Sequence, residues 1–264
     1  MRAVLGIDAA WTLTQPSGVA VAVKDANGWR VLAAAPSYQH FHALAGDDPV
    51  FSERAIGARP DASALLASTR TLCGRAVDLV AIDMPLARVP IVGRRAADNV
   101  VSKVYGGRKC ATHSPSELRP GRISDDLRQG FERAGYPLLT RQASPPGLIE
   151  VYPHPALVEL AGASERLPYK ASKMAKYWPV VSPVERRVRL YRQWAEIVTM
   201  LEDKITGVVA ALPKLDLNAS VRMMKSYEDT LDAIICAWIA TCVLDGRAMP
   251  LGDDVSAIWV PTSK

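Results

Sequence analysis

Four aspartates stand where a carboxylate is hard to keep. Asp8 ends the apolar run Ala3-Val4-Leu5-Gly6-Ile7, Asp83 ends the run from Val77 to Ile82 just before Met84-Pro85, and Asp229 and Asp232 precede the apolar stretch from Ala233 to Leu244. A short β-rich apolar run reads as a buried strand, and a charge at its end is costly unless it is paired or bound to metal. Asp229 and Asp232, three residues apart on a helical stretch, point to one side. Each aspartate alone also reads as a turn cap; the recurrence of the same setting argues for more. Clustered carboxylates take up protons unless a cation neutralises them, and oxygen ligands with few histidines or thiolates suit Mg²⁺ or Mn²⁺. The expected chemistry is hydrolysis of a phosphodiester by metal-activated water. Glu150, inside the run Leu148-Ile149-Glu150-Val151-Tyr152, is open to two readings, a further metal ligand or a partner for an arginine. The isolated pair His40 and His42 reads as a surface feature rather than a metal site.

Basic residues that could hold an anionic substrate fall in two places. From Arg88 to Arg122 the chain carries Arg94, Arg95, Arg108 and Lys109, broken by Gly106-Gly107 and by Ser114-Pro115-Ser116. Such a segment is either a solvated loop or an anion-binding lid. Lys170 opens a short basic stretch with Lys173 and Lys176. The sequence Tyr152-Pro153-His154-Pro155, followed by Tyr169-Lys170, could line the same cleft. His154 then reads as a general acid or base or as a helix cap, Tyr152 as core packing or a cleft wall, and Lys170 as a phosphate contact. The net charge of +5 and pI near 9.1 favour an anionic partner, a nucleic acid or a phosphorylated compound.

The elements that must position these residues follow from periodicity. Strands at 3–8, 18–23 and 29–33, the last two joined across Asp25-Ala26-Asn27-Gly28, predict an antiparallel three-strand meander. Residues 36–60 read as irregular, 61–75 as a helix capped by Asp61 or Ser63, 77–84 as a strand, 125–134 as a helix capped by Ser124, and 148–152 as a strand. Residues 155–212 read as helical, with Ser182-Pro183-x-Glu185 opening the longest helix. A helix over 226–244 and a strand over 255–260 close the chain. With 264 residues, 49% hydrophobic and 22% charged, one soluble domain with a sizeable core is expected, carrying helical and loop insertions over about 88–146 and 155–220. Cysteines 73, 110, 236 and 242 form no C-x-x-C pair, so neither a zinc site nor a disulfide framework is indicated, and a cytoplasmic location fits best. Ala233–Leu244 is too short to span a bilayer, and the N-terminal apolar run lacks the features of a signal peptide, so no membrane association is expected.

The order of these pieces resembles the RNase H-like superfamily: a strand hairpin bearing Gly6-Ile7-Asp8, a helix, a strand bearing Ile82-Asp83-Met84-Pro85, and a last helix bearing Asp229-x-x-Asp232-Ala233. That last motif is similar to the final helix of RuvC-type resolvases. Ala81-Ile82-Asp83-Met84-Pro85-Leu86, Arg94-x-x-x-Asp98, Val151-Tyr152-Pro153-His154-Pro155-Ala156, Tyr169-Lys170 and Asp232-Ala233-x-x-Cys236-Ala237 together resemble a domain-of-unknown-function family of predicted RNase H-like nucleases. The resemblance implies a mixed central sheet with flanking helices and metal-dependent phosphodiester hydrolysis. It implies Asp8, Asp83 and Asp232 as ligands, with Asp229 a fourth, and brings Arg94, Arg95 and Asp98 into the candidate substrate-binding set. Two departures stand out: RuvC-like enzymes usually carry Glu as the second acid, and RNase H has a first-helix Glu with no equivalent here. Two other functions remain open. One is a non-catalytic module that binds a nucleotide or nucleic acid through Arg94, Arg95, Arg108, Lys109 and Lys170. The other is an actin-like phosphotransferase, disfavoured because Trp11 occupies a turn that needs small residues.

Overall fold

The computed structural model describes residues 2–46 and 54–262. A meander of β1 (Arg2–Asp8), β2 (Gly18–Asp25) and β3 (Gly28–Ala35) forms one half of a seven-stranded sheet. On its other side β1 pairs in parallel with β4 (Leu79–Ile82), which pairs in parallel with β5 (Gly147–Val151). Then come β7 (Ala257–Pro261), parallel to β5, and the antiparallel edge strand β6 (Ala248–Gly252). The order is β3-β2-β1-β4-β5-β7-β6, a mixed α/β sheet with helices on both faces.

Alternation along the strands divides the core in two, since successive side chains leave a strand on opposite faces. Leu5, Ile7, Val19, Val21, Val80 and Ile82 pack with α1 (Tyr38–Leu44), α2 (Ala62–Cys73) and α4 (Arg122–Arg133). Val4, Ala20, Ala22, Leu79, Ala81, Ile149 and Val151 pack with α5 (Pro153–Ala161), α7 (Pro183–Glu202) and α9 (Val221–Leu244). The helix α3 (Ala96–Tyr105) covers the β6–β7 end, and α6 (Met174–Tyr177) and α8 (Val208–Ala211) are single turns.

Several boundaries differ from those read in the sequence. Residues 36–60 contain α1, capped by Ser37, whose Oγ also contacts His40 Nδ1 at 2.7 Å, while His42 Nδ1 meets Ser68 Oγ at 2.7 Å; residues 47–53 lie outside the described set. The basic segment 88–122 contains α3, with Asp98 reaching back to the Arg95 N–H. Helix α4 starts at Arg122, and Ser124, taken as its cap, lies inside it and donates to the Pro85 carbonyl at 2.5 Å. Strand β6 carries Pro250, which hides it in the sequence and which an edge strand tolerates. Ser182 does cap α7, accepting from Glu185 N–H at 3.2 Å. Helix α9 starts five residues before Ser226, capped by Ser220. No helix among the described residues is long and apolar enough to cross a membrane.

The tightest joint is that of α9 against β1 and β2. A Cβ on Gly6 would lie 2.8 Å from Ala237 Cα and closer still to Ala237 N and Ala233 O; one on Gly18 would strike the Asp229 carbonyl. These are backbone atoms that no rotamer change can move. Gly6→Ala is therefore expected to lower the stability by more than about 2 kcal/mol, because the helix must shift from the sheet. Urea unfolding of the two proteins checks this, and a midpoint unchanged by the substitution contradicts it.

Candidate functional site

The parallel register of β1 and β4 pairs Gly6 with Ala81 and Ile7 with Ile82, so the next residues, Asp8 and Asp83, fall side by side at the carboxyl ends of the strands. Asp83 N–H donates to Ile7 O at 2.9 Å, extending the ladder by one bond. Alternation puts both aspartates on the α9 face. Helix α9 lies close there because Gly6 and Gly18 have no side chain, and it brings Lys225, Glu228, Asp229 and Asp232 over the strand ends. Asp8, Asp83, Asp229, Lys170 and Lys225 line a cleft of about 510 Å³. The β1–β2 turn contributes Trp11 and Gln15 to its wall, and the loop before α4 contributes His113, Ser114 and Arg119.

Five carboxylates and two ammonium groups meet here. Asp232 Oδ1 accepts from the Tyr169 hydroxyl at 2.7 Å and Oδ2 is paired with Lys170 Nζ, which lies 3.6 Å from Glu228. Glu228 also accepts from Ala171 N–H at 2.6 Å and from Lys225 at 3.2 Å, and Lys225 pairs with Asp229 Oδ1. Asp229 Oδ2 is buried with no hydrogen-bond partner. Burial, then the charge of Asp232, pushes the Asp8 carboxyl well above the usual range against the opposing pull of Lys170. Burial raises Asp83 to about 7, Lys170 opposing and Asp232 adding. Burial raises Asp229 to about 6 against Lys225. Burial disfavours the Lys170 ammonium, but Asp232, Tyr169, Glu228 and Asp8 together hold it well above its ordinary value.

The all-oxygen donor set of Asp8, Asp83 and Asp229, negative in excess and with one carboxylate oxygen orphaned, suits a hard divalent cation. Asp232 is already satisfied by Tyr169 and Lys170. Among the described residues no three His, Cys, Asp or Glu side chains are gathered closely enough to hold a metal ion as they stand.

The other residues singled out in the sequence are dispersed. Glu150 alternates with Ile149 and Val151 and so leaves β5 on the face opposite the cleft. There Arg95 clamps it with bonds of 2.5 and 2.8 Å, binds Asp98 and the Leu86 carbonyl, and leaves the Leu86 N–H to Glu150 at 2.7 Å. Burial lowers the Arg95 pKa, but Glu150 and Asp98 outweigh it and hold the guanidinium above its ordinary range. Of the two readings of Glu150, the structure displays the arginine partner. Arg94 is exposed and holds Asn99, Ser102, Ser114 and the Asp98 carbonyl. Arg108 binds Glu159 at 2.7 Å and the Ala163 carbonyl, and Lys109 pairs with Glu165. Tyr152 donates to the Ala111 carbonyl at 3.3 Å, and its ring lies edge-on to buried His154. Lys225 falls outside the helix expected over 226–244, and Glu228, inside it, is adjacent in sequence to Asp229 and gives no sign of facing the same cleft. With Ser220 as the cap, the offset of four between Lys225 and Asp229 puts that pair on one helix face.

The chain belongs to the family described as Protein of unknown function (DUF429), whose model matches residues 6–257. Neither a curated protein nor a solved structure matches it.

Two stability measurements follow. Asp83 titrates near 3.8 unfolded and near about 7 folded, so between those values the folded chain holds the extra proton. Its contribution makes stability fall as pH rises from about 4 to 7. Thermal unfolding in chelator across that window should give a shallower fall for Asp83→Asn than for the parent chain; parallel curves would refute the burial of this charge. Removing Arg95 strands Glu150 and Asp98, so Arg95→Ala should cost about 3–5 kcal/mol, while Arg94→Ala should cost under about 1 kcal/mol. Denaturant titration of both variants checks the contrast, which disappears if the two lose equally.

Proposed function

We propose that this protein is a divalent-cation-dependent phosphodiester hydrolase of RNase H-like fold, acting in the cytoplasm on a nucleic acid or nucleotide. The observation that carries the proposal is that Asp8, Asp83 and Asp229 line one cleft at the carboxyl ends of two adjacent parallel strands, in negative excess and with Asp229 Oδ2 unpartnered. The fold assignment is supported by the antiparallel meander with an aspartate ending its first strand, the parallel strand beside it ending in Asp83, and the long last helix laying its acids over both. The family's own description assigns no activity.

In this proposal Asp8, Asp83 and Asp229 hold Mg²⁺ or Mn²⁺, and Asp232 adds negative charge from behind Lys170. A cation held there would lower the pKa of a water toward neutrality, so that it could lose a proton and serve as a nucleophile, and would offset negative charge on the reacting oxygens. The chain's own part is to fix the acids. Tyr169 and Lys170 hold the Asp232 carboxylate by two bonds, and Lys225 anchors one oxygen of Asp229, leaving the other without a hydrogen bond. Trp11 and Gln15 on one wall, with His113 and Arg119 on the other, bound the space a substrate would enter.

A second function, a binding module without catalysis, is favoured by one specific observation: the Lys170 ammonium already pairs with two of the α9 acids, Asp232 and Glu228. The two are separated by titrating Mn²⁺ into chelator-treated protein and by assaying single-stranded, duplex, hybrid and branched nucleic acids. Hydrolysis predicts that Mn²⁺ raises the melting temperature and that Asp8→Asn lowers kcat by on the order of a thousandfold, about 4 kcal/mol of barrier. Cleavage that survives Asp8→Asn overturns the assignment, and a fold indifferent to Mn²⁺ favours the binding module.

A further inference from the structure

Close to the acids lies a second group of cations. Arg166, Lys170 and Lys173 are strung along the segment between α5 and α6, fixed by the Arg166 N–H on the Arg108 carbonyl at 2.9 Å and the Lys173 N–H on the Lys170 carbonyl at 3.0 Å. Lys170 is neutralised by Asp232 and Glu228. Arg166 and Lys173 form no ion pair among the described residues. Arg166 is half-buried, and its Nε is sealed from water without a hydrogen bond.

His154 shares the defect. It is only 6% exposed, its ring is set between Tyr152 at 5.4 Å and Tyr169 at 5.3 Å, and its Nδ1 is buried with no partner. Burial keeps the imidazole neutral, and Arg166, Lys170 and Lys173 reinforce that, so these charges all bear on it. The Lys173 ammonium is pushed down by burial, then by Arg166, which shows the mutual repulsion of the group. Lys170 lines the carboxylate cleft, its carbonyl takes the Lys173 N–H, and the neighbouring Tyr169 ring packs on His154, so the group borders that cleft. A buried polar atom without a partner costs about 1–3 kcal/mol, and two of them beside cations that form no ion pair suit an anion.

We infer that Arg166, Lys173 and His154 form an oxyanion subsite that takes a phosphoryl group of the substrate next to the carboxylate cleft. The inference rests on the cleft being where a phosphodiester is cut, and it narrows the substrate to one carrying a second phosphate beside the scissile one. Arg166 offers a fork of N–H donors matched to phosphate oxygens, Lys173 a point charge, and neutral His154 one N–H. The second phosphate is either a terminal monoester or the next linkage of a strand.

Calorimetric titration of chelator-treated protein with inorganic phosphate, and with a dinucleotide bearing or lacking a 5′-phosphate, tests this without any turnover. Phosphate should bind the parent chain and Asp8→Asn alike, and about tenfold or more weakly to Arg166→Gln and Lys173→Gln, with Arg166→Lys recovering part of the loss. Preference for the 5′-phosphorylated dinucleotide assigns the subsite to a terminal monoester; equal binding of both, lost together in Arg166→Gln, assigns it to a strand linkage. Phosphate that fails to bind the parent chain, or binds Arg166→Gln and Lys173→Gln as well as the parent, overturns the subsite. Because binding is read without metal and in Asp8→Asn, absence of nuclease activity leaves this result standing or falling by itself.

Discussion

Everything at the strand ends depends on how closely α9 lies on the sheet. Ordinary side chains on β1 and β2 would hold a helix at the usual packing distance; here Gly6 and Gly18 supply none, Ala20 and Ala22 supply a single methyl, and the helix answers with Ala233 and Ala237. The two backbones therefore nearly touch. The same contact fixes the helix in rotation, since Asp229 is the residue whose carbonyl faces Gly18 and Gly18 is the register partner of Asp8. The acids are brought together by the absence of side chains a few residues away, a constraint on shape that precedes any electrostatic one.

The cost of that arrangement is visible in the charges. The Arg95, Asp98 and Glu150 group across the sheet is more deeply buried than Asp8 and Asp83, yet its guanidinium donors and carboxylate oxygens are matched, several of them bidentate. The cleft is not matched: five carboxylates share two lysines and one Asp229 oxygen has no donor at all. Buried networks that are complete serve the fold, while incomplete ones need something from outside the chain. That criterion also marks Asp125 Oδ1 and Arg128 Nε on α4, but the acids around Asp8 and the basic group at Arg166 and His154 are the incomplete sites that are neighbours of opposite sign.

Asp8 and Asp83 were legible in the sequence because each ends an unbroken apolar run, a signal that survives without knowing the face a strand presents. Glu150 was not. In a strand buried on both sides the hydrophobic pattern is continuous, so nothing in Leu148 to Tyr152 tells which way the acid points. The face is set by register with β4, a long-range fact. Arg94 and Arg95 teach the same lesson at shorter range: adjacent in sequence and alike in chemistry, one is exposed on serines and an asparagine while the other is sealed in an ion-pair core. The basic stretch at 88–122 hid a helix because its cap is an arginine backed by Asp98 rather than a Ser or Asp. Lys225 was lost to a boundary error of five residues, and Arg166 carried no local signal.

Lys170 is the residue through which the two incomplete sites communicate. Its ammonium is bonded to Asp232, near Glu228, and set 4.9 Å over the Tyr169 ring, and its charge acts on both Asp83 and His154. A divalent cation among Asp8, Asp83 and Asp229 would repel that ammonium, and a phosphate at Arg166 and Lys173 would attract it. The two ligands thus oppose each other's effect on Lys170 and relieve each other's charge. If both sites are filled as proposed, each ion offsets the charge of its own side, and a substrate that bridges them would offset both at once.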